Sequence, residues 1–103
     1  MAEQDELIKI GRDIIDRYKK MACNGDNRTD WQAWVHENIY SCQILIELLQ
    51  RTNPNYEHIL FLSKLIGEHH KNSKPPAIFF WTNKIAAYIQ NQHKGEEILG
   101  HPK

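Results

Sequence analysis

Residues 75–95 read "PPAIFFWTNKIAAYIQNQHKG", and the spacing of the apolar residues in this stretch decides the class of fold. Two prolines open the stretch, at a position that a helix tolerates, and Gly95 belongs to the residue type that most often ends a helix. Between them, apolar side chains recur with the period of an α-helix, so we predict a helix over 75–94. The residues on its inner face are Ile78, Trp81, Ile85, Tyr88 and Ile89.

Three segments upstream carry the same period and are predicted as helices over 5–22, 30–51 and 54–71. An Asn-Gly turn signal ends the first of them. The second starts at "TDWQ", residues 29–32, which fits a capping box between the threonine hydroxyl and the glutamine amide. It ends before a proline, because the residue that precedes proline avoids helical angles. The third begins with an asparagine cap followed by that proline.

Four predicted helices of similar length, joined by short loops, favour an antiparallel up-down four-helix bundle. No segment alternates polar and apolar residues over the length of a strand, so we predict an all-α fold without a sheet. A chain of 103 residues suffices for one domain and is too short for two. We therefore expect a single helical domain over 1–94, followed by a short, mobile C-terminal tail over 95–103.

The charges of the chain cancel, with 13 Lys and Arg residues against 13 Asp and Glu residues. A neutral chain has no overall attraction to nucleic acid or to anionic lipid. The charges are unevenly spread, however, since residues 1–63 carry a net −3 and residues 64–94 a net +4. The second half of the chain thus offers a basic patch to a partner, or simply carries solvated lysines on its helices.

The composition predicts a cytoplasmic protein that does not enter a membrane. No apolar run approaches the roughly 18 residues that a membrane-spanning helix needs. The first residues, "MAEQDELIK", are acidic and polar, which is the wrong chemistry for a signal peptide. We expect Cys23 and Cys42 to be free thiols in a reducing compartment.

Three aromatic residues in a row, Phe79, Phe80 and Trp81, cannot all face one core. A helix turns about 100° per residue, so their side chains leave it in three directions. Trp81 falls on the inner face, Phe79 at its edge, and Phe80 opposite it. Phe61 lies opposite the inner residues of the third helix in the same way. We expect both phenylalanines to be exposed.

The second predicted helix carries a line of three residues with i,i+4 spacing, Tyr40, Ile44 and Leu48, away from the inner face that contains Cys42 and Leu49. A bundle that buries a wide arc of this helix would instead take Leu48 and Ile44 into its core. A contiguous exposed apolar surface often marks a protein interface. The predicted partner-binding residues are Tyr40, Ile44, Leu48, Phe61, Lys64, Phe80 and Lys84.

Metal binding and catalysis find little support in the residue spacing. Six histidines are present, but a helical pair of ligands needs i,i+3 or i,i+4 spacing. Only His93 with Glu96 or Glu97, and Glu97 with His101, have that spacing, and Gly95 interrupts this segment. The stretch "HENIY" at 36–40 has Tyr40 where the HExxH motif requires its second histidine. Cys42 lies in an apolar stripe, which is an inert setting for a thiol. We therefore expect no metal, no cofactor and no catalytic residue.

His70 falls in the last turn of the third predicted helix. The dipole of the helix favours a positive charge there, so we expect the pKa of His70 to be raised. This placement accounts for the histidine without a catalytic role.

These patterns predict a non-enzymatic protein that acts by binding a partner, such as an adaptor, an immunity-like inhibitor or a regulatory subunit. It would bind another protein, or a second copy of itself as a homodimer, through the surplus apolar surface. The alternative is a regulator that binds nucleic acid through the basic region between the third and fourth helices. The residues of that alternative are Lys71, Lys74 and Lys84.

Overall fold

The computed structural model describes residues 2–25, 28–73 and 76–100 of the chain. Over these residues the chain forms four α-helices and no strand, so the predicted all-α class is confirmed. The helices are α1 (Ala2–Asn24), α2 (Thr29–Leu49), α3 (Tyr56–His70) and α4 (Ala77–Gly100).

The C-terminal end of α4 differs from the prediction. The helix passes through Gly95 and ends at Gly100, so the prediction that Gly95 ends it is wrong. A glycine inside a helix costs about 1 kcal/mol relative to alanine, which a long helix tolerates. The rest of the predicted tail, residues 101–103, lies outside the described residues, and its mobility stays a prediction.

The hydrogen bonds at the start of α2 also differ from those of the predicted capping box. Arg28 is the N-cap residue, in an extended conformation and without a side-chain capping hydrogen bond. Within the first turn, the backbone N–H of Trp31 donates to Oδ1 of Asp30 at 2.9 Å. The side chain of Gln32 instead donates to the carbonyl of Ala22 at 3.1 Å. Gln32 therefore ties α2 to the last turns of α1, and the capping-box prediction is wrong.

The contacts divide the chain into two compact units, of which the first is Met1–Asn55. In this unit α1 packs against α2 as an antiparallel hairpin. Gln4, near the start of α1, donates to the carbonyl of Leu49 at the end of α2, while the Gln32–Ala22 bond joins the opposite ends. The buried apolar residues of this unit are Leu7, Ile8, Ile14, Ile15, Tyr18, Val35, Ile39, Cys42, Leu45, Ile46, Leu48 and Leu49.

The second unit is Tyr56–Lys103, in which α3 packs against α4. Tyr56 meets Tyr88 edge to face, with ring centroids 6.5 Å apart, and Gly67 lies against Thr82. Tyr56, at the start of α3, thus meets a residue further along α4 than the one that Gly67 meets, so this hairpin is antiparallel too. Both hairpins have the antiparallel order of an up-down topology. The predicted single domain over 1–94 stays a prediction. The buried residues of this unit are Ile59, Ser63, Gly67, His70, Ile78, Trp81, Thr82, Ile85, Tyr88 and Ile89.

No helix in the described part of the chain is both long enough and apolar enough to cross a bilayer. The 18-residue apolar stretch that such a span requires does not occur there.

Candidate interaction surface

The described helices expose a set of large apolar side chains that their own packing leaves uncovered. Because a large apolar side chain is usually buried, a set of this kind needs an explanation, whereas one exposed leucine does not. The set, with the exposed fraction of each residue, is Met21 (37%), Trp34 (40%), Tyr40 (65%), Ile44 (48%), Phe61 (63%), Leu65 (48%) and Phe80 (59%).

On α2, the residues Tyr40 and Ile44 are one turn apart and form what we call the α2 face. They point away from Cys42, which is completely buried, and their predicted exposure is observed. The exposed carboxylates of Glu37 and Glu47 flank them on the same side of the helix. The α2 face is therefore a small apolar area with an acidic rim.

Leu48 is buried, with 8% of its surface exposed, so its placement in the predicted partner-binding line is wrong. Each step of four residues turns the helix about 40° past a full turn. The line that starts at Tyr40 and Ile44 thus drifts toward the buried side as it advances. Leu48 arrives beside the buried Leu49, which corresponds to the wide buried arc that the sequence left as an alternative.

On α3, Phe61 and Leu65 are one turn apart and form the α3 face. The exposure predicted for Phe61 is observed, whereas Leu65 was not predicted, although its i+4 position from Phe61 pointed to it. Lys64 and Glu68 are exposed beside them. The carboxylate of Glu68 also pairs with the Nζ of Lys71 at 3.3 Å.

On α4, Phe80 is exposed while the adjacent Trp81 is 1% exposed, as the helical rotation predicted. Phe79 is half-buried, and its ring centroid lies 6.0 Å from that of Phe80. The exposed Lys84 follows Phe80 one turn later. The ring of Phe80 is called the α4 face, and Lys84 lies at its rim.

The structure thus places the predicted partner-binding residues other than Leu48 in three groups, each on one helix. The groups are the α2 face in the first unit and the α3 and α4 faces in the second. Met21, near the end of α1, is also 37% exposed. The exposure of Trp34 was not predicted either. Its ring packs edge to face against Tyr18, with ring centroids 5.9 Å apart, and 40% of its surface is exposed.

An open groove of about 440 Å³ runs between α1 and α2. Ile15 and Ile46, both 7% exposed, lie among the charged and polar side chains that line it. Two positive and two negative side chains line it, so the groove carries no net charge that would favour a ligand of one sign. The polar lining residues are Arg12, Asp16, Lys19, Gln43, Glu47 and Gln50.

The two thiols differ in their chemistry. Burial raises the pKa of Cys42 to about 12, which keeps its thiol protonated and unreactive at neutral pH. Cys23 is exposed, and neither cysteine forms a disulfide. No cluster of three or more histidine, cysteine or acidic side chains suitable for a metal ion occurs in the part of the chain that the structure describes.

His70 corrects an expectation from the sequence. Its side chain is 6% exposed, and a ring nitrogen, Nδ1, lies 3.1 Å from Oγ of Ser73. The pKa of His70 is lowered, mainly because burial disfavours the charged ring and further because of the neighbouring charge of His69. The expected increase is therefore wrong, since the loss of hydration outweighs the dipole of the helix.

The residues of the nucleic-acid alternative fall in three situations. Lys71 is engaged with Glu68, Lys84 is exposed beside Phe80, and Lys74 lies outside the described residues. The alternative stays a prediction.

Comparison of the chain with protein-family models, with curated proteins and with solved structures found no match.

Proposed function

We propose that this protein is a non-enzymatic interaction module that binds another protein, or a second copy of itself, through its exposed apolar faces. The observation that carries the proposal is the exposure of three aromatic side chains, Tyr40 at 65%, Phe61 at 63% and Phe80 at 59%. Each stands on the outer side of a helix whose opposite side is packed.

Aromatic side chains dominate the energetics of protein interfaces because each buries roughly 150–250 Å². At about 25 cal/mol per Å², covering the exposed part of one ring contributes on the order of 2 kcal/mol before the cost of association is subtracted. Charged residues border each face: Glu37 and Glu47 on α2, Lys64 and Glu68 on α3, and Lys84 on α4. An apolar centre with a charged rim is the usual composition of an interface.

A module of this kind acts as an adaptor, an inhibitor or a regulatory subunit, and we place it in the cytoplasm. Both thiols are free, which agrees with a reducing compartment. The acidic rim of the α2 face suits a basic partner, and the basic rim of the α4 face suits an acidic one. Complementary charge increases the association rate and favours the correct partner.

The proposal is tested with charge insertions on the apolar faces. Tyr40→Asp and Phe80→Asp are compared with Gln43→Asp on α2 and Asn83→Asp on α4, which add the same charge at exposed polar positions. Circular dichroism and thermal unfolding establish that all four variants are folded. Association is measured by sedimentation velocity of the pure protein and by affinity capture from an extract of the source cells, with partner peptides quantified by mass spectrometry.

We expect at least one of the two face variants to lose an association that the wild type and both controls keep. Binding that is equal in all five proteins would contradict the proposal for the α2 and α4 faces, and a wild type that associates neither with itself nor with any captured protein would contradict it for all three faces.

A further inference from the structure

The outward sides of α2 and α4 repeat the same spacing along their helices. With about 100° per residue, each helix has a row of residues within about 40° of one outward direction, at steps of four and three. All members of both rows are exposed. A row with these steps is the kind that packs along a second helix. The α2 row is Ala33, Glu37, Tyr40, Ile44 and Glu47, and the α4 row is Phe80, Lys84, Ala87 and Asn91.

The two rows and the residues around them carry opposite charge. Residues 30–50 contain three acidic residues and no lysine or arginine. Residues 77–92 contain one lysine, Lys84, and no acidic residue. When the α4 row is laid on the α2 row, the carboxylates of Glu37 and Glu47 therefore meet an ammonium group or side-chain amides. Within these ranges this holds for either direction of the helices and for any register.

We propose that the α2 row is covered by the α4 row of a second copy of this chain. The inference rests on the proposed function and names the partner of its α2 and α4 faces. The contact is heterologous, because it joins different surfaces of the two copies. Complementary charge increases the rate at which the two rows associate and favours this pairing over others.

The apolar contact and the charged contact form together. Lys84 follows Phe80 by one turn, and the α2 face has Glu37 one turn before it and Glu47 one turn after it. With the ring of Phe80 on the α2 face, parallel helices bring Lys84 within about one turn of Glu47, and antiparallel helices bring it within about one turn of Glu37. In both cases the helical rotation of about 100° per residue puts the two charges on the same edge of the contact.

A contact between like rows lacks this match. Two α2 rows packed parallel set Glu37 against Glu37, and two packed antiparallel about the α2 face set Glu37 against Glu47. Two α4 rows bring two Lys84 ammonium groups into a contact that holds no carboxylate of the row. Like charges placed opposite one another disfavour association. Among contacts of these two rows, the unlike pair is therefore the favoured one.

The size of the rows sets the affinity to expect. Standard interfaces contain roughly 20–30 residues a side, whereas the rows offer five and four. We therefore expect weak self-association, measurable between about 10 μM and 1 mM protein by sedimentation equilibrium of the full chain.

A mixing experiment tests which surfaces meet. Tyr40→Asp damages the α2 row and leaves the α4 row intact, and Phe80→Asp does the reverse, so each variant alone should self-associate at least tenfold more weakly than the wild type. An equimolar mixture of the two still offers one intact α2 row and one intact α4 row. The mixture should therefore associate with a dissociation constant near that of the wild type. Phe61→Asp, the same kind of change on α3, should leave self-association unchanged.

A charge exchange tests the complementarity itself. Lys84→Glu should weaken self-association about tenfold, and so should the double variant Glu37→Lys with Glu47→Lys. A mixture of these two chains restores opposite charges between one α2 row and one α4 row, so its affinity should recover. The matched control reverses two exposed acids of α1, Glu6→Lys with Asp13→Lys. Mixing this control with Lys84→Glu should give no recovery.

Four results would overturn the inference. One is a wild type that is monomeric up to 1 mM. Another is a folded Tyr40→Asp or Phe80→Asp variant that self-associates as the wild type does. The third is a mixture of these two variants that associates no better than each alone. The fourth is loss of self-association in Phe61→Asp.

The proposed function fails separately from this inference. If the wild type is monomeric but captures a protein from the extract that Tyr40→Asp or Phe80→Asp no longer captures, the proposed function stands and the occupant is a foreign protein. If the wild type neither self-associates nor captures a protein, both fail.

Discussion

Phe79, Phe80 and Trp81 are consecutive in the chain and occupy three different environments. Trp81 is 1% exposed and Phe80 is 59% exposed, while Phe79 lies between them in exposure. The difference follows from the rotation of about 100° per helical residue. Similar side chains at adjacent positions therefore serve the core and the surface.

This difference predicts two unequal effects on the free energy of unfolding. Phe80→Ser should change it by less than about 1 kcal/mol, because the ring makes few buried contacts. Trp81→Ala should lower it by about 3–5 kcal/mol, because it leaves a cavity in the packed side of α4. Urea denaturation followed by circular dichroism measures both. Equal losses in the two variants would show that Phe80 is a core residue and would remove the α4 face.

The thiols predict a second effect at single residues. Because burial raises the pKa of Cys42 to about 12, its thiol stays protonated at pH 8. Ellman's reagent should therefore modify one thiol rapidly in the folded protein, the exposed Cys23, and the second only in denaturant. In Cys23→Ser the rapid phase should vanish. Rapid modification that persists in this variant would contradict the burial of Cys42.

At the scale of the helices, the contact between Gly67 and Thr82 sets how closely α3 approaches α4. A Cβ atom at position 67 would lie 2.8 Å from Oγ1 of Thr82. That hydroxyl is 3.0 Å from the carbonyl of Phe79, to which it donates, and Thr82 is 1% exposed. A branched side chain held in this way cannot yield easily.

Gly67→Ala should therefore lower the free energy of unfolding by about 1 kcal/mol. The crowding costs about 1–3 kcal/mol, which exceeds the gain of up to about 1 kcal/mol from the better helix former. In a Thr82→Ala background the same change should be neutral or stabilising, since the Cβ of residue 82 lies 3.7 Å away. A double-mutant cycle by urea denaturation measures the coupling. A cost that is the same in both backgrounds would show that the contact with Thr82 is not its source.

At the scale of the whole molecule, the burial of His70 links global stability to pH. Its pKa is lowered in the folded state by burial and by the charge of His69. The unfolded chain, in which histidine titrates near pH 6.5, then binds more protons than the folded chain as the pH falls. The contribution of His70 to stability is present above pH 6.5 and is lost as the pH falls through the lowered value.

We therefore expect the midpoint of thermal unfolding to fall between about pH 7.5 and pH 5. His70→Asn keeps a polar group near Ser73 but cannot be charged, so it should flatten this dependence. His36→Asn removes an exposed histidine on α2 and should leave the dependence as it is in the wild type. If His70→Asn shows the wild-type slope, the buried histidine is not its source.

The sequence by itself determined which segments are helical and which side of each helix is packed, because hydrophobic period and turn signals are local properties. For the same reason it placed Tyr40, Ile44, Phe61 and Phe80 on outer sides, where the structure finds them. Leu65, one turn after Phe61 on the same side of α3, carries the same local signal.

Only the tertiary structure decided how wide the packed side of each helix is. That width buries Leu48 and His70 and leaves Met21 partly exposed. It also decided that Gln32 bonds to Ala22 across the hairpin instead of capping its own helix, and that Gly67 serves the contact with Thr82. The period of a sequence gives the direction of a side chain, whereas burial depends on what another segment brings to that direction. Residues distant in the chain therefore determine burial.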